Sequence, residues 1–305
     1  MKVLVCDQIS DDGLNLLKEN NFTVDVKIGL QPDELKNVIK DYEVVIVRSA
    51  TKLTKDIIDS AEKLKLIVRG GVGLDNIDAE AAKSKNITVL NTPEASTITV
   101  AEHTMALLLA LTKNIAIADK SVKEGKWEKK KFKGIELYNK TLGLIGVGRI
   151  GSAVAKIAKN GFQMKVLGYD PYVKKDILKE NGIEPVNSID ELLQKSDIVS
   201  LHLPLTPETK NLINRERINK MKDGAIIVNC ARGGIIDETA LTEALKSGKL
   251  WGAALDVFEN EPPKNSPLLN LENVVLTPHI GAATKEAQKR VGIESAKTII
   301  NFFKK

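Results

Sequence analysis

Short runs of β-branched and apolar residues alternate with longer amphipathic stretches along almost the whole chain. Parallel strands need a crossover connection, usually a helix, so this alternation is typical of strands and helices wound into parallel sheets. We therefore predict an α/β protein built from doubly wound parallel sheets. At 305 residues the chain exceeds what a single hydrophobic core usually serves, and two domains are expected.

The alternation forms two series of predicted strands. Between them, residues 100–119 are rich in Ala and Leu and predict one long helix that leaves the first domain and enters the second. A last helix, at residues 284–303, has an apolar face that must pack on something, and periodicity alone does not show which domain it joins. The first series lies at residues 2–6, 23–26, 44–47, 66–68 and 88–90, and the second at 141–145, 165–169, 198–203, 225–229, 253–257 and 274–276.

Composition and charge exclude several classes of protein. The 45 Lys and Arg residues nearly balance the 40 Asp and Glu residues, so no concentrated basic surface for nucleic acid is expected. The longest apolar run, residues 105–111, is far too short to span a membrane, and no signal-peptide core is present. Cys6 and Cys230 lack metal-ligand spacing, so we predict no metal site and a reducing, cytoplasmic location.

A glycine motif directly follows the strand predicted at residues 141–145. Gly146-Val147-Gly148-Arg149-Ile150-Gly151 has the pattern G-x-G-x-x-G at the start of an Ala-rich helix, where such a loop binds the pyrophosphate of a dinucleotide. A tight structural turn is the alternative. Asp170, at the end of the next predicted strand, can bind the ribose hydroxyls and repel a 2′-phosphate. This favours NAD over NADP, although Lys174 and Lys175 lie nearby.

Three charged or ionisable residues follow strands of the second series, at the sheet edge where open α/β folds bind ligands. His279 can exchange a proton near neutral pH, and Glu261 beside it would favour its protonated form. Arg232 can hold a substrate carboxylate through paired hydrogen bonds. Each residue alone could belong to a surface ion pair. His103 and His202 are interpreted as structural or as lining the site.

In the first series, Arg48 and the glycine loop Gly70-Gly71-Val72-Gly73 also follow strands. Amides of a glycine-rich loop suit a carboxylate, and an Arg beside it suits a second anionic group such as phosphate. Arg48 could instead form a salt bridge between domains. Residues 129–133 include four lysines, Lys129, Lys130, Lys131 and Lys133, which either attract phosphate or form a solvated face.

These features together resemble the D-isomer-specific 2-hydroxyacid dehydrogenases. The resemblance covers nearly the whole chain and implies a Rossmann NAD-binding domain at residues 99–281, inserted into a flavodoxin-like substrate domain made of residues 1–98 and 282–305. It also implies a homodimer formed mainly through the NAD-binding domains. The motifs that carry it lie at residues 69–78, 125–128, 143–151, 229–234, 254–258, 261–263 and 278–281.

The resemblance assigns roles to individual residues. Arg232 would anchor the substrate carboxylate, Glu261 would orient His279, and His279 would be the acid and base. Implied substrate contacts are Arg48, Gly70, Gly71, Val72, Gly73, Arg232 and His279. Implied NAD contacts are Val72, Gly146, Gly148, Arg149, Ile150, Gly151, Asp170, Leu203, Pro204, Thr209, Cys230, Ala231, Arg232, Asp256, His279, Gly281 and Ala282.

Within the family, the sequence is most similar to members that oxidise D-3-phosphoglycerate at the start of serine biosynthesis. The resemblance thus implies NAD-dependent oxidation of that acid, with no effector-binding domain expected beyond Lys305. Glyoxylate or hydroxypyruvate reductases and D-lactate-type enzymes are alternatives, since they would use the same three catalytic residues. An NAD-sensing, corepressor-like binding protein is an alternative from a different class.

Overall fold

A computed structural model of the protein describes residues 1–304. The chain folds into two compact units. The first unit comprises Met1–Thr97 and the segment that begins at Ala282; the second comprises Ile98–Gly281. In chain order the elements are β1 Lys2–Val5, α1 Asp11–Glu19, β2 Thr23–Val26, α2 Pro32–Val38, β3 Val44–Val47, α3 Lys55–Ser60, β4 Leu66–Arg69, α4 Ala79–Ser84, β5 Thr88–Asn91, α5 Thr97–Thr112, α6 Ile115–Lys123, β6 Thr141–Ile145, α7 Arg149–Phe162, β7 Lys165–Tyr169, α8 Lys175–Glu180, β8 Glu184–Pro185, α9 Ile189–Lys195, β9 Ile198–Leu201, α10 Arg215–Lys220, β10 Ala225–Asn229, α11 Glu238–Ser247, β11 Leu250–Leu255, β12 Val274–Leu276 and α12 Lys285–Phe303.

The first unit is a five-stranded sheet with the strand order β2-β1-β3-β4-β5, all parallel. All four residues of β3 are buried, because helices cover both faces: Val45 and Val47 belong to one apolar cluster, and Val44 and Ile46 to the other. Helix α12 completes this unit by packing on α1, where a side chain at Gly13 would collide with the backbone of Gly292. The last helix thus joins the first series of strands.

The second unit is a seven-stranded parallel sheet with the order β12-β11-β10-β9-β6-β7-β8. Chain order reverses between β6 and β9, which is the switch point where a Rossmann sheet binds its dinucleotide. The order of the first sheet is that of flavodoxin-like proteins. The predicted fold class, a Rossmann sheet inserted into a flavodoxin-like one, is confirmed.

The prediction of one long helix at residues 100–119 was wrong. The structure contains two helices, α5 and α6, whose axes meet at 61°. Asn114 separates them in the left-handed conformation, with φ of 56°, which Asn adopts more readily than most residues. Within residues 1–304 no single helix is long and apolar enough to cross a membrane, although the bent pair α5–α6 meets that test by length and composition.

Candidate active site

The glycine loop joins β6 to α7 at the switch point of the second sheet. Gly146 has a φ of 89°, and a side chain there would collide with the carbonyl oxygen of His202. A side chain at Gly151 would collide with the carbonyl oxygen of Gly146, so this glycine lets the helix lie close to the turn. A Cβ atom on Gly148 would meet nothing within 4 Å. The loop therefore presents open backbone at the start of α7, as pyrophosphate binding requires.

Asp170 follows β7 and turns back onto this loop. Its Oδ2 accepts a hydrogen bond from the N–H of Val147 at 2.8 Å, and its Oδ1 accepts one from the N–H of Tyr172 at 2.9 Å. A carboxylate can accept about four hydrogen bonds, so these two leave capacity for hydroxyl donors. The carboxylate lies at the end of the strand next to β6, which is the place of the ribose-binding acid in dinucleotide sites.

His279 and Glu261 are brought together by the loops that follow β12 and β11. The Nδ1 atom of His279 lies 2.8 Å from Oε2 of Glu261, and Oε1 of Glu261 accepts a hydrogen bond from the N–H of Phe258 at 3.2 Å. His279 has a φ of 53°, in the left-handed region that residues other than glycine seldom occupy. With Nδ1 engaged by the carboxylate, Nε2 is the ring atom left for proton exchange.

Arg232 lies in the turn that follows β10, the strand beside β11. Asn229 is 2% exposed and holds this turn from inside: its Oδ1 accepts from the N–H of Ala231, and its Nδ2 donates to the carbonyl of Arg232 at 2.9 Å. Any side chain at Gly233 would collide with the carbonyl oxygen of Phe258, so the turn lies directly against the loop that leads to Glu261.

Asp256 is 1% exposed and binds the loop that carries the candidate acid and base. Its carboxylate accepts hydrogen bonds from the Thr277 hydroxyl at 2.6 Å and from the N–H groups of Ile280 at 2.9 Å and Gly281 at 2.7 Å. Nε2 of His103 on α5 lies 3.3 Å from Oδ1. Burial alone would raise the pKa of Asp256, but these hydrogen bonds hold it below its usual value, so it is ionised at neutral pH.

Cys230 is buried, and desolvation raises the pKa of its thiol to about 12, so a thiolate role is excluded at neutral pH. His202 bonds to the Ser200 hydroxyl at 2.9 Å, and burial lowers the pKa of its imidazole to about 4. Both side chains are therefore neutral at pH 7. Among residues 1–304 no group of three His, Cys, Asp or Glu residues is arranged to hold a metal ion.

The remaining predicted NAD contacts lie on loops at the same edge of the sheet or in the first unit. Leu203 lies in the loop after β9, and a side chain at Gly146 would approach it to 2.9 Å. Pro204 and Thr209 share that loop and are joined by a 2.7 Å hydrogen bond from the Thr209 hydroxyl. Arg149 and Ile150 form the first turn of α7. Ala282 begins the returning segment of the first unit.

In the first unit, Arg48 and Gly70 directly follow the paired strands β3 and β4. A Cβ atom on Gly70 would lie 3.2 Å from Cγ of Arg48, so the two turns touch. Gly71 has a φ of 138°, a conformation that L side chains rarely adopt. Val72 is exposed between the glycines. The structure thus places the predicted substrate-binding groups of this unit side by side.

Several residues that build these sites were not predicted from the sequence. Asn229, Gly233 and Thr277 fix the turns of the second unit, and Asp7 and Asn76 fix the Arg48 turn. The sequence signal for Asn229 was its position at the end of a buried strand, because a buried amide must find hydrogen-bond partners and can therefore fix a turn.

The family model for the NAD-binding domain of D-isomer specific 2-hydroxyacid dehydrogenases matches residues 105–281. The chain is 56% identical, over 98% of its length, to D-3-phosphoglycerate dehydrogenase of Methanocaldococcus jannaschii, and it covers 57% of that protein. The chain thus spans a little over half the length of this curated relative.

Two further similarities concern proteins of about the same length. Hydroxypyruvate reductase of Thermotoga maritima is 52% identical, with 98% of this chain and 97% of the relative covered. The crystal structure of D-lactate dehydrogenase from Aquifex aeolicus, complexed with NAD and lactic acid, superimposes with a TM-score of 0.85 at 35% identity, covering 100% of this chain and 96% of the other.

Proposed function

Because the chain belongs to the D-isomer-specific 2-hydroxyacid dehydrogenase family, we propose that it catalyses the NAD-dependent oxidation of D-3-phosphoglycerate to 3-phosphohydroxypyruvate, the first step of serine biosynthesis. The observation that carries the reaction class is the 2.8 Å contact between His279 and Glu261. We assign the second unit as the NAD-binding domain and the first unit as the substrate domain.

The residues of the second unit fit a dinucleotide. The open backbone at Gly148 and the N-terminus of α7 suit the pyrophosphate, and Asp170 suits the ribose hydroxyls. The negative charge of Asp170 opposes a 2′-phosphate, which favours NAD over NADP. When bound, NAD accepts the hydride that leaves C2 of the substrate.

The side chains supply the remaining chemistry. As the C2–H bond breaks, Nε2 of His279 takes the hydroxyl proton, and the electron pair of the O–H bond forms the new carbonyl. Glu261 holds Nδ1 and stabilises the imidazolium that results. Arg232 binds the substrate carboxylate through two parallel hydrogen bonds. In the reverse direction His279 returns the proton to the carbonyl oxygen.

The choice of substrate is assigned to the first unit. The glycine turn at residues 70–73 suits the carboxylate, and Arg48 beside it suits a phosphate. The 56% identity to a D-3-phosphoglycerate dehydrogenase supports this assignment. Reduction of hydroxypyruvate is the second candidate, because a reductase that matches over 97% of its own length is 52% identical. The lysines at 129–133 are proposed as a further attraction for phosphate.

We also propose a homodimer formed through the second unit. Four large apolar side chains between residues 98 and 127 are exposed: Ile98, Ile115, Val122 and Trp127, of which Trp127 is 83% exposed. Several exposed apolar side chains on one stretch of the chain favour a protein interface. Light scattering of the wild type and of Trp127→Glu tests it, with a smaller species expected only for the variant. The two buried free thiols, Cys6 and Cys230, support a cytoplasmic location.

The direct test is NAD reduction with D-3-phosphoglycerate, D-glycerate and D-lactate at equal concentrations, at alkaline pH with the keto product trapped. A clear preference for the phosphorylated acid is expected. Preference for D-glycerate would overturn the substrate and support the reductase. Tight NAD binding without turnover of any acid would instead show a sensor of NAD.

A further inference from the structure

The turn formed by residues 48–51 is clamped from one side by a buried carboxylate. Asp7, 6% exposed, lies just after β1. Its Oδ2 accepts hydrogen bonds from the N–H groups of Arg48 at 2.5 Å and Thr51 at 3.2 Å, and its Oδ1 accepts one from the Thr51 hydroxyl at 2.9 Å. The first and last N–H groups of the turn are therefore bound to one carboxylate.

The same turn is clamped from the other side by an amide. Nδ2 of Asn76 donates to the carbonyl oxygens of Arg48 and Thr51, both at 2.6 Å. The backbone of Asn76 is itself fixed, because its carbonyl accepts a hydrogen bond from the N–H of Leu53 at 2.8 Å. Side chains thus satisfy the donor and the acceptor at each end of the turn, while Ser49 and Ala50 between them are exposed.

The neighbouring glycine turn has a clamp of its own. Nδ2 of Asn91 donates to the carbonyl of Val72 at 2.6 Å, and the Thr92 hydroxyl accepts from the N–H of Gly71 at 2.8 Å. These residues lie at the end of β5, whereas the Asp7 and Asn76 side chains hydrogen-bond to the Arg48 turn. The structure therefore holds the two turns by separate sets of side chains.

The direction of the Arg48 side chain follows from its turn. The stem passes beside Gly70, and Nη1 donates to the carbonyl of Gln8 at 3.3 Å. Burial lowers the pKa of the Arg48 guanidinium, and the nearby Asp7 carboxylate opposes that shift, so the charge is kept in a partly desolvated place. A charge of this kind attracts an anion more strongly than one in open water.

We propose that Asp7, Thr51 and Asn76 are positioning residues that set Arg48 for the phosphate of the substrate, whereas Asn91 and Thr92 set the glycine turn for the carboxylate that every D-2-hydroxy acid carries. The two clamps divide substrate recognition between the two ends of the acid. This inference rests on the proposed function, because it requires a substrate with a second anionic group.

The test compares kcat/KM for D-3-phosphoglycerate with kcat/KM for D-glycerate in matched variants. Asn76→Ala is expected to lower this ratio about tenfold, mainly through the KM of the phosphorylated acid, because a displaced turn misplaces the guanidinium. Asn91→Ala is expected to raise KM for both acids, so the ratio stays within about twofold. A merely structural role for Asn76 would weaken both reactions alike.

Two milder substitutions at Thr51 provide the same test if Asn76→Ala does not fold. Thr51→Val keeps the shape of the side chain but removes the hydroxyl that Asp7 binds, and Thr51→Ser keeps the hydroxyl. We expect the ratio to fall about fivefold in Thr51→Val and to be restored in Thr51→Ser, as the loss of one charge-assisted hydrogen bond implies. Thermal unfolding checks that each variant is folded.

The reference variant Arg48→Ala distinguishes the phosphate role of Arg48 from the positioning role of Asp7, Thr51 and Asn76. If the wild type shows no preference for the phosphorylated acid, or if Arg48→Ala keeps it, the phosphate role of Arg48 and the proposed substrate are overturned. If Arg48→Ala loses the preference while Asn76→Ala and Thr51→Val both keep it, only the positioning role is overturned. Loss of the preference in all three, with the wild-type preference kept in Asn91→Ala, supports the inference.

Discussion

The two units use their functional side chains in different ways. In the second unit, two side chains assigned to the chemistry contact each other, since Nδ1 of His279 lies 2.8 Å from Glu261, and the Asp256 carboxylate binds the loop that follows β12. In the first unit, the groups assigned to recognition contact backbone, and other side chains hold their turns. In the proposed mechanism, proton transfer depends on the pair of His279 and Glu261, and substrate selectivity depends on the shape of the turns. Changes to this pair of side chains should therefore alter turnover, and changes to the two turns of the first unit should alter KM.

The largest expected effect is on turnover in the second unit. His279→Ala removes the acid and base and should lower kcat about 10²- to 10⁴-fold, as for other general acid–base residues. The dissociation constant of NADH, measured by fluorescence titration, should change less than about threefold. Glu261→Gln keeps a hydrogen-bond partner for Nδ1 without the charge, so its kcat should fall less than that of His279→Ala. Equal losses in turnover and NADH affinity for His279→Ala would show that the residue only binds cofactor.

The next largest effect is on the pH dependence of the free energy of unfolding. The folded pKa of His202 is about 4, below the unfolded value of about 6.5, so the unfolded chain binds more protons between these values. Stability is therefore lost as pH falls from 6.5 towards 4, by at most about 3 kcal/mol. Denaturant unfolding at pH 7 and pH 4.5 should show a smaller loss in His202→Gln. The same loss in both proteins would mean that the His202 imidazole does not contribute to the pH dependence of stability.

The preference for NAD over NADP tests whether the Asp170 charge selects the cofactor. Asp170→Asn keeps an oxygen that can accept from Val147 N–H but removes the negative charge. The ratio of kcat/KM for NAD over NADP should fall about tenfold, because repulsion of the 2′-phosphate is lost. Asp176→Asn, on the neighbouring helix α8, is the matched control and should leave the ratio unchanged. An unaltered preference in Asp170→Asn would remove the ribose role of this carboxylate.

The smallest effect is on the scaffold of the first unit. The Lys85 ammonium donates to three carbonyls at the end of α3, those of Ile58, Asp59 and Ala61, at 3.2, 2.7 and 2.8 Å. Lys85→Met should lower the free energy of unfolding by about 1 kcal/mol, as loss of a helix C-terminal cation does, without changing kcat. Lys83→Met, on α4 nearby, is the control. A fall in kcat would show that the first unit takes part in the chemistry.

The sequence predicts the fold class and most strands because buried parallel strands are near-continuous apolar runs, as in β3 and β10. It does not predict the break at Asn114, since the residues on both sides favour helix and a single left-handed residue leaves no periodic signal. The strand predicted at 253–257 begins at Leu250, where Gly252 obscures the β-branched pattern. The two-residue strand β8 is too short for any pattern.

For the candidate site, the sequence points to residues whose chemistry is distinctive, such as His279, Glu261 and the glycine loop. Their contacts follow from parallel strands that end at one edge of a sheet. The clamps were not predicted, because Asp7 and Asn76 are 69 positions apart and meet only through the turn between them. Long-range side-chain to backbone contacts have no local signature in a single sequence.

The fate of the C2 hydrogen of the substrate tests most directly whether the second unit transfers a hydride to NAD while His279 takes the proton. D-3-phosphoglycerate carrying deuterium at C2 would be oxidised with NAD, and the reduced cofactor analysed by mass spectrometry. Hydride transfer predicts NADH heavier by one deuterium, with turnover slowed when chemistry limits the rate. NADH without deuterium, or deuterium found only in the solvent, would contradict hydride transfer and with it the proposed function.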